Sequence, residues 1–262
     1  MSDAPSPEEI YRRTEKEGER RLSRPLLELV STAFVAGIDV VVGILALGAA
    51  HHYAAAAWGP EAGALAGALA FGICFVFIVV GRSELFTENF LVPLAAVDRH
   101  DRSSWLKLGE LWLVSPVANI VGGTVIILVA STHGVLPDGT GGAIAETASK
   151  LDEKGVLAAF LSAVLAGALI TLMTWMVEGQ ESSGVRALCA YLTGFVLALL
   201  ALNHVIVATL ELIAGIRFGA DIEWGDVAGN FGVAAVGNMA GGILLVTLSR
   251  FSQARAARVT GG

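Results

Sequence analysis

Charge is scarce in this sequence. Asp, Glu, Lys and Arg make up 16% of its 262 residues, against about 25% in a soluble globular domain. Apolar residues reach 55% and the mean hydropathy is +0.69. That balance excludes an ordinary soluble domain and fits a small integral membrane protein. Cysteine is nearly missing. Cys74 and Cys189 both lie inside apolar runs and read as packing residues, with no disulfide framework and no metal-ligand spacing. Tyrosine falls to 3 while glycine reaches 31, which suits closely packed membrane helices. No nucleic-acid footprint is present, because the bases sit mainly in two tails and one short loop, among acids. HExxH, GxSxG, nucleotide loops and Cys/His clusters are all absent. An enzyme, a cofactor, a metal and a nucleic-acid partner are therefore not expected. Residues 1–24 are polar throughout and show no cleavable signal, so the apolar segment beginning near Pro25 is expected to direct insertion.

What the chain does have is six long apolar segments, at about 26–50, 61–97, 104–132, 155–178, 185–215 and 226–249. Each is near the ~20 residues that cross a bilayer. The second and fifth are too long for one plain span and carry polar residues in mid-run. The second is interrupted at Gly81-Arg82-Ser83-Glu84-Leu85-Phe86-Thr87-Glu88-Asn89. The fifth is interrupted at Asn203-His204 and carries Glu211 further on. Before the first segment, residues 6–24 read as a charged helix with Ser6 as N-cap, Pro7 in the first turn and Glu9 completing a capping box. That helix is either solvated or in contact with lipid headgroups or a partner. Three parts result: a cytoplasmic polar helix at 1–24, a six-span channel domain at 25–250 and a cytoplasmic tail at 251–262.

Lys and Arg in the flanks set the expected orientation. The N-tail holds Arg12, Arg13, Lys16, Arg20, Arg21 and Arg24. Arg99, Arg102 and Lys107, then Arg186, then Arg250, Arg255 and Arg258 fall on the same side. The other side has Lys150, Lys154 and Arg217. Both termini are thus expected in the cytoplasm, which demands an even number of spans.

An internal repeat underlies the pattern. Asn119-Ile120-Val121-Gly122-Gly123 and Asn238-Met239-Ala240-Gly241-Gly242 share an Asn followed at the same spacing by a Gly pair. Superposing them sets His204 opposite Leu85, so the two polar interruptions coincide. Three spans reverse the membrane side, so the two halves are expected to be inverted. Broken helices survive in a bilayer only when buried in protein or beside a wet cavity. Paired breaks in two halves point to a transport pathway at the midplane. The plainer alternative is two kinked helices in a packed bundle.

These residues resemble the formate/nitrite transporter family. Glu84-Leu85-Phe86-Thr87-x-Asn89 is similar to the family's ELFTGN signature, and the two Asn-x-x-Gly-Gly elements and the lone His204 also look like family features. The resemblance covers nearly all of residues 25–250. It implies an aquaporin-like all-α protomer with its own pore, assembled into a homopentamer in the plasma membrane. It also implies small monovalent anions of weak acids, such as formate or nitrite, as permeant species. Thr87 corresponds to the family's loop threonine and His204 to its central histidine. Phe71 and Phe75 lie where the family has apolar constrictions, and Lys150 or Lys154 could match its outer lysine. The chain also departs from the pattern: Glu88 replaces a glycine, Asn203 an acid, and Thr209 ends a segment whose family asparagine is lost. It resembles a divergent branch with TEN in place of TGN.

An ionisable group inside a span costs roughly 2.5–3.5 kcal/mol on insertion scales, so Asp39, Arg82, Glu84, Glu88, His204 and Glu211 need partners or a cavity. His204 is the sharpest site residue, as a proton donor or polar relay for an arriving anion; the alternative is a core histidine bonding the broken helix. The Thr87 hydroxyl suits capping the restarting half-helix, bonding the ion, or both. Asn203 is expected to cap the matching half-helix. Glu88 is open to three readings: a first-turn acid, a partner of Arg82 or His204, or a pore charge that repels anions. Glu88 and Asp39 therefore leave a second selectivity open, for a cation or neutral solute. Glu84 and Glu211 are expected to bond freed backbone amides or Arg82. The small-residue face with Gly229, Gly232, Gly237 and Gly241 is expected to serve subunit contact.

Overall fold

The structure, a computed structural model, describes residues 4–98 and 100–260. Arg99 lies outside the described residues, as does the side chain of Arg258. The described chain is helical. Helix α1 (Pro7–Leu22) precedes α2 (Leu26–Trp58), α3 (Pro60–Phe71) and α4 (Ile73–Gly81). A 3-10 turn at Phe86–Phe90 leads to the short α5 (Val92–Ala96) and then α6 (Arg102–Ala130). The second half holds α7 (Thr140–Asp152), α8 (Val156–Glu178), α9 (Ser183–Leu199), α10 (Val205–Arg217) and α11 (Trp224–Met239). A π-helical stretch, Ala240–Thr247, joins α11 to α12 (Leu248–Thr260).

Five helical stretches are long and apolar enough to cross a membrane: Leu26–Trp58, Pro60–Gly81, Arg102–Ala130, Val156–Glu178 and Trp224–Ala257. The fifth expected segment differs, because it is split into α9 and α10. The first runs to Trp58 rather than ending at 50. Helix α7, between the third and fourth segments, is an addition: its apolar residues are interleaved with Glu146, Ser149 and Lys150, which hid it from a search for long apolar runs.

Both breaks are built alike. Helix α4 ends at Arg82 and α9 at Ala201, the two described non-glycine residues with positive φ, 58° and 45°. That left-handed conformation costs about 1–2 kcal/mol for an L-residue. In each case the next amide closes a 6→1 bond: Ser83 N–H donates to Ile78 C=O and Leu202 N–H to Leu197 C=O, both at 3.0 Å. Equivalent positions are 119 residues apart, the shift that sets His204 opposite Leu85.

The same shift relates the groups that satisfy the broken backbone. The Asn119 carboxamide donates to Ala33 C=O (2.7 Å) and Glu84 C=O (2.9 Å) and accepts from Phe86 N–H (3.1 Å). Asn238 donates to Ala163 C=O (2.8 Å) and Asn203 C=O (3.0 Å) and accepts from Val205 N–H (2.9 Å). One buried side chain thus satisfies three backbone groups at each break, where each unmade bond would cost about 1–3 kcal/mol. The glycine pairs explain how the brackets get close enough. A Cβ on Gly122 would collide with Phe34 C=O, and one on Gly241 with Val164 C=O.

Helix α1 is docked, not free. Thr14 and Gly18 are buried, and Gly18 lies against the Val92 carbonyl of α5. Ser6 caps it by accepting from Glu9 N–H at 3.2 Å. The Glu9 carboxylate turns to Arg13 at 2.6 Å instead of completing the expected box.

Candidate functional site

At the two breaks the chain returns to one point. Thr87 from the 3-10 turn and His204 at the start of α10 are both fully buried. Thr87 Oγ1 lies 2.6 Å from His204 Nε2. The other ring nitrogen, Nδ1, accepts from Val207 N–H at 3.2 Å. Nδ1 is therefore the acceptor of the neutral ring, and the proton sits on Nε2, donated to the threonine oxygen. The Thr87 hydroxyl keeps its own proton for another acceptor. His204 is thus the N-cap of α10, the role expected of Asn203. Asn203 instead exchanges carboxamide bonds with Asn230, at 2.8 and 3.2 Å. Its short amide reaches sideways, while the longer imidazole spans the first turn. Thr87 likewise caps no helix, because its hydroxyl is turned to the histidine.

Two aromatic rings close the site. Phe75 is fully buried, with its ring 6.3 Å from His204 and 6.2 Å from Phe71. Cavities open at opposite ends of the α3–α4 span. The first, of about 140 Å³, is polar and is lined by Arg21, Arg24, Ile78, Ser83 and Glu88 among others. The second, of about 220 Å³, is more apolar and is lined by Leu47, His51, Phe71, Lys154, Val207 and Glu211 among others. Phe71 faces one and Ile78 the other, about 10 Å apart along the helix, with Phe75 between them.

The charge network differs from the expected one. Glu84 is buried and takes two arginines from the N-terminal segment: Arg21 at 3.0 Å, and Arg24. Arg21 also donates to Asn89 Oδ1 at 3.1 Å and lies 3.7 Å from Glu88. Burial opposes the Arg21 charge, but Glu84, Glu88 and Glu17 outweigh it and hold its pKa above the ordinary arginine value. Arg82, the expected partner of Glu84 and Glu88, is exposed and makes no ion pair among the described residues. Arg82 lines the first cavity together with Glu88, but lies beyond ion-pair distance of both acids. Glu88 does not reach His204 either, since Thr87 occupies that contact. Asp39 accepts from Ser83 Oγ at 2.7 Å.

On the second side, Lys154 donates to Ala201 C=O, at the αL residue ending α9. Lys150 pairs with Glu146 at 2.6 Å on an exposed helix face. Burial lowers the Lys154 pKa, and Glu211 partly opposes that. Glu211 lines the same cavity as Lys154, whereas Arg82, its expected partner, lines the other. Leu85, Phe86 and Asn89 line neither cavity: Leu85 is core, Phe86 packs edge-on against Phe90 at 5.1 Å, and Asn89 steadies Arg21. Sequence reasoning missed Arg21, Arg24 and Arg186 as residues of the site. The first two belong to a charged run that resembles any solvated helix.

A model described as formate/nitrite transporter matches residues 8–252. The chain belongs to the formate/nitrite transporter family. Within this family it is a multi-pass membrane transporter or channel. It is 23% identical over 248 residues to the inner membrane protein YfdC of Escherichia coli (strain K12), covering 94% of this chain and 78% of that protein. It is 24% identical over 249 residues to the uncharacterized transporter YrhG of Bacillus subtilis (strain 168), covering 94% and 92%. Among solved structures, an FNT family ion channel superposes with a TM-score of 0.78 at 20% identity, over 93% of this chain and 98% of that one. A pentameric formate channel with formate bound superposes at 0.74 and 20% identity, over 86% and 96%. At that identity the two superpositions establish the shared fold of the formate/nitrite transporters.

Proposed function

We propose that this chain is one protomer of a homopentameric plasma-membrane channel for small monovalent anions of weak acids, with formate and nitrite as model solutes. Each protomer would hold six spans in two inverted three-helix halves, with both termini in the cytoplasm. The observation that carries the reading is the 2.6 Å Thr87–His204 contact, walled by Phe75 between two cavities. It leaves the Thr87 hydroxyl proton free to be donated, which favours an anion. The formate bound to the structural neighbour is consistent with that choice.

The geometry supports one order of events. Lys154 draws an anion into the second cavity. Phe71 and Phe75 strip its water, which raises the anion's own pKa. The Thr87 hydroxyl, backed by His204 Nε2–H, hydrogen-bonds the dehydrated anion while a proton from bulk solvent neutralises it. His204 stays neutral as a polar relay, and the neutral acid passes the rings. The acids Glu88 and Glu211, one in each cavity, favour the second reading, a cation or neutral solute. Liposome flux of formate, nitrite, chloride and K⁺ at two pH values separates the two. Anion flux that is lost in His204→Phe, with the oligomer intact, supports the first. K⁺ flux that falls in Glu88→Gln while formate flux is absent supports the second.

A further inference from the structure

The first cavity is ringed by five arginines and three glutamates. Three arginines are spoken for. Arg20 and Arg21 bond Glu17, and Arg21 and Arg24 bond Glu84. Arg82 and Arg186 make no ion pair among the described residues. Arg82 occupies a positive-φ position where glycine would be free of strain, yet it carries a long cation to the cavity wall. Arg186 is held from α9 by one bond, Nε–H to Gln180 C=O at 2.9 Å. Its two terminal amino groups are left to a further acceptor.

We propose that Arg82 and Arg186 form an anion-loading site at this mouth of the pore, for a small monovalent oxyanion such as a monocarboxylate. The assignment rests on the anion-channel reading above. A guanidinium presents a planar fork that matches a carboxylate's two oxygens. The cavity of about 140 Å³ has room for roughly four or five waters, so it suits a small anion that keeps part of its hydration, and is too small for a nucleotide. Glu88 and Glu178 line the same cavity and temper its field. Conduction needs binding strong enough to collect the ion and weak enough to release it, and a fully unopposed ring of arginines would trap it. The site also explains how a pore that carries Glu88 still draws in anions.

The test is formate flux against formate concentration in liposomes, for the wild type, the pair Arg82→Gln with Arg186→Gln, and the pair Arg82→Lys with Arg186→Lys. Losing both charged forks should raise the half-saturating concentration about tenfold and leave maximal flux within about twofold. The lysine pair should rise less, because it keeps charge and loses only the fork; if the glutamine pair does not assemble, this smaller rise is the deciding reading. An unchanged half-saturating concentration in both pairs would overturn the site. A second readout, thermal stabilisation of the detergent-solubilised protein by formate over chloride, needs no transport. If the wild type conducts no anion, the channel reading fails on its own. Formate stabilisation that disappears with the glutamine pair would then still support the site, and no stabilisation in the wild type would overturn it.

Discussion

Glu84 ties three parts of the chain together. Its carboxylate receives Arg21 and Arg24 from the N-terminal segment, while its backbone carbonyl is held by Asn119. Removing one partner from a buried ion pair strands the other charge. Glu84→Ala should therefore cost about 3–5 kcal/mol, read as a lower melting temperature in detergent. Adding Arg24→Met should recover part of the loss, since one stranded cation is removed. Glu17 links stability to pH. Burial raises its pKa, but Arg20 and Arg21 outweigh that and hold it at about 2. A depressed carboxylate contributes stability above its unfolded pKa of about 4.3 and loses it as pH falls toward 2. Melting temperature should then drop between pH 5 and pH 3, and Glu17→Gln should flatten that drop while being less stable at pH 7.

At the scale of elements, α1 is the part whose role changes most between sequence and structure. As a sequence it is a run of charges. In the fold it is a strap whose glycine fits α5 and whose Arg21, with Arg24 just past its end, reaches the broken second segment. A Cβ at Gly18 would press on Val92 C=O and sit 2.7 Å from Ala96 Cβ. Gly18→Leu should undock α1, detected as faster proteolysis within residues 8–24 and faster amide exchange there, with the spans still protected. The breaks themselves were legible in advance. A charged stretch and a lone histidine inside apolar runs point to broken helices more readily than to kinks, and the Asn-Gly-Gly elements placed them in one register. What each Asn does there was not legible, because satisfying three carbonyl and amide groups at once depends on where three segments meet.

For the whole molecule, the glycine-rich face that runs from α11 into the π-helical stretch divides in two. Gly237 and Gly241 are used inside the protomer: their Cβ positions fall on Ala163 and on the Val164 carbonyl of α8. The expectation that all four glycines serve subunit contact is corrected for these two. A Cβ at Gly229 or Gly232 would meet no neighbouring element within 4 Å, so both remain open to a neighbouring copy. Gly229→Phe should weaken the oligomer with the protomer still folded, whereas Gly237→Phe should prevent folding. Native mass spectrometry and melting curves on the same pair of variants distinguish the two outcomes. A wild-type protein that runs as a stable monomer or tetramer would contradict the pentamer.

The sequence alone determined the solvent, the breaks and the central residues. Apolar run length reports a bilayer, and an ionisable or hydrogen-bonding residue inside such a run must answer to a cavity or a partner, so Thr87 and His204 stood out before any fold was known. Only the tertiary structure decided which groups pair. Glu84 meets Arg21 and Arg24 across 63 and 60 residues, not the nearby Arg82, because α1 docks against the break and brings two other guanidinium groups to the buried carboxylate. The same holds for Lys154 over Lys150, and for His204 over Asn203 as the helix cap. Spacing along the chain encodes which face a residue occupies. It does not encode which distant face will be packed against it, and at membrane depth that packing chooses the partner of every charge.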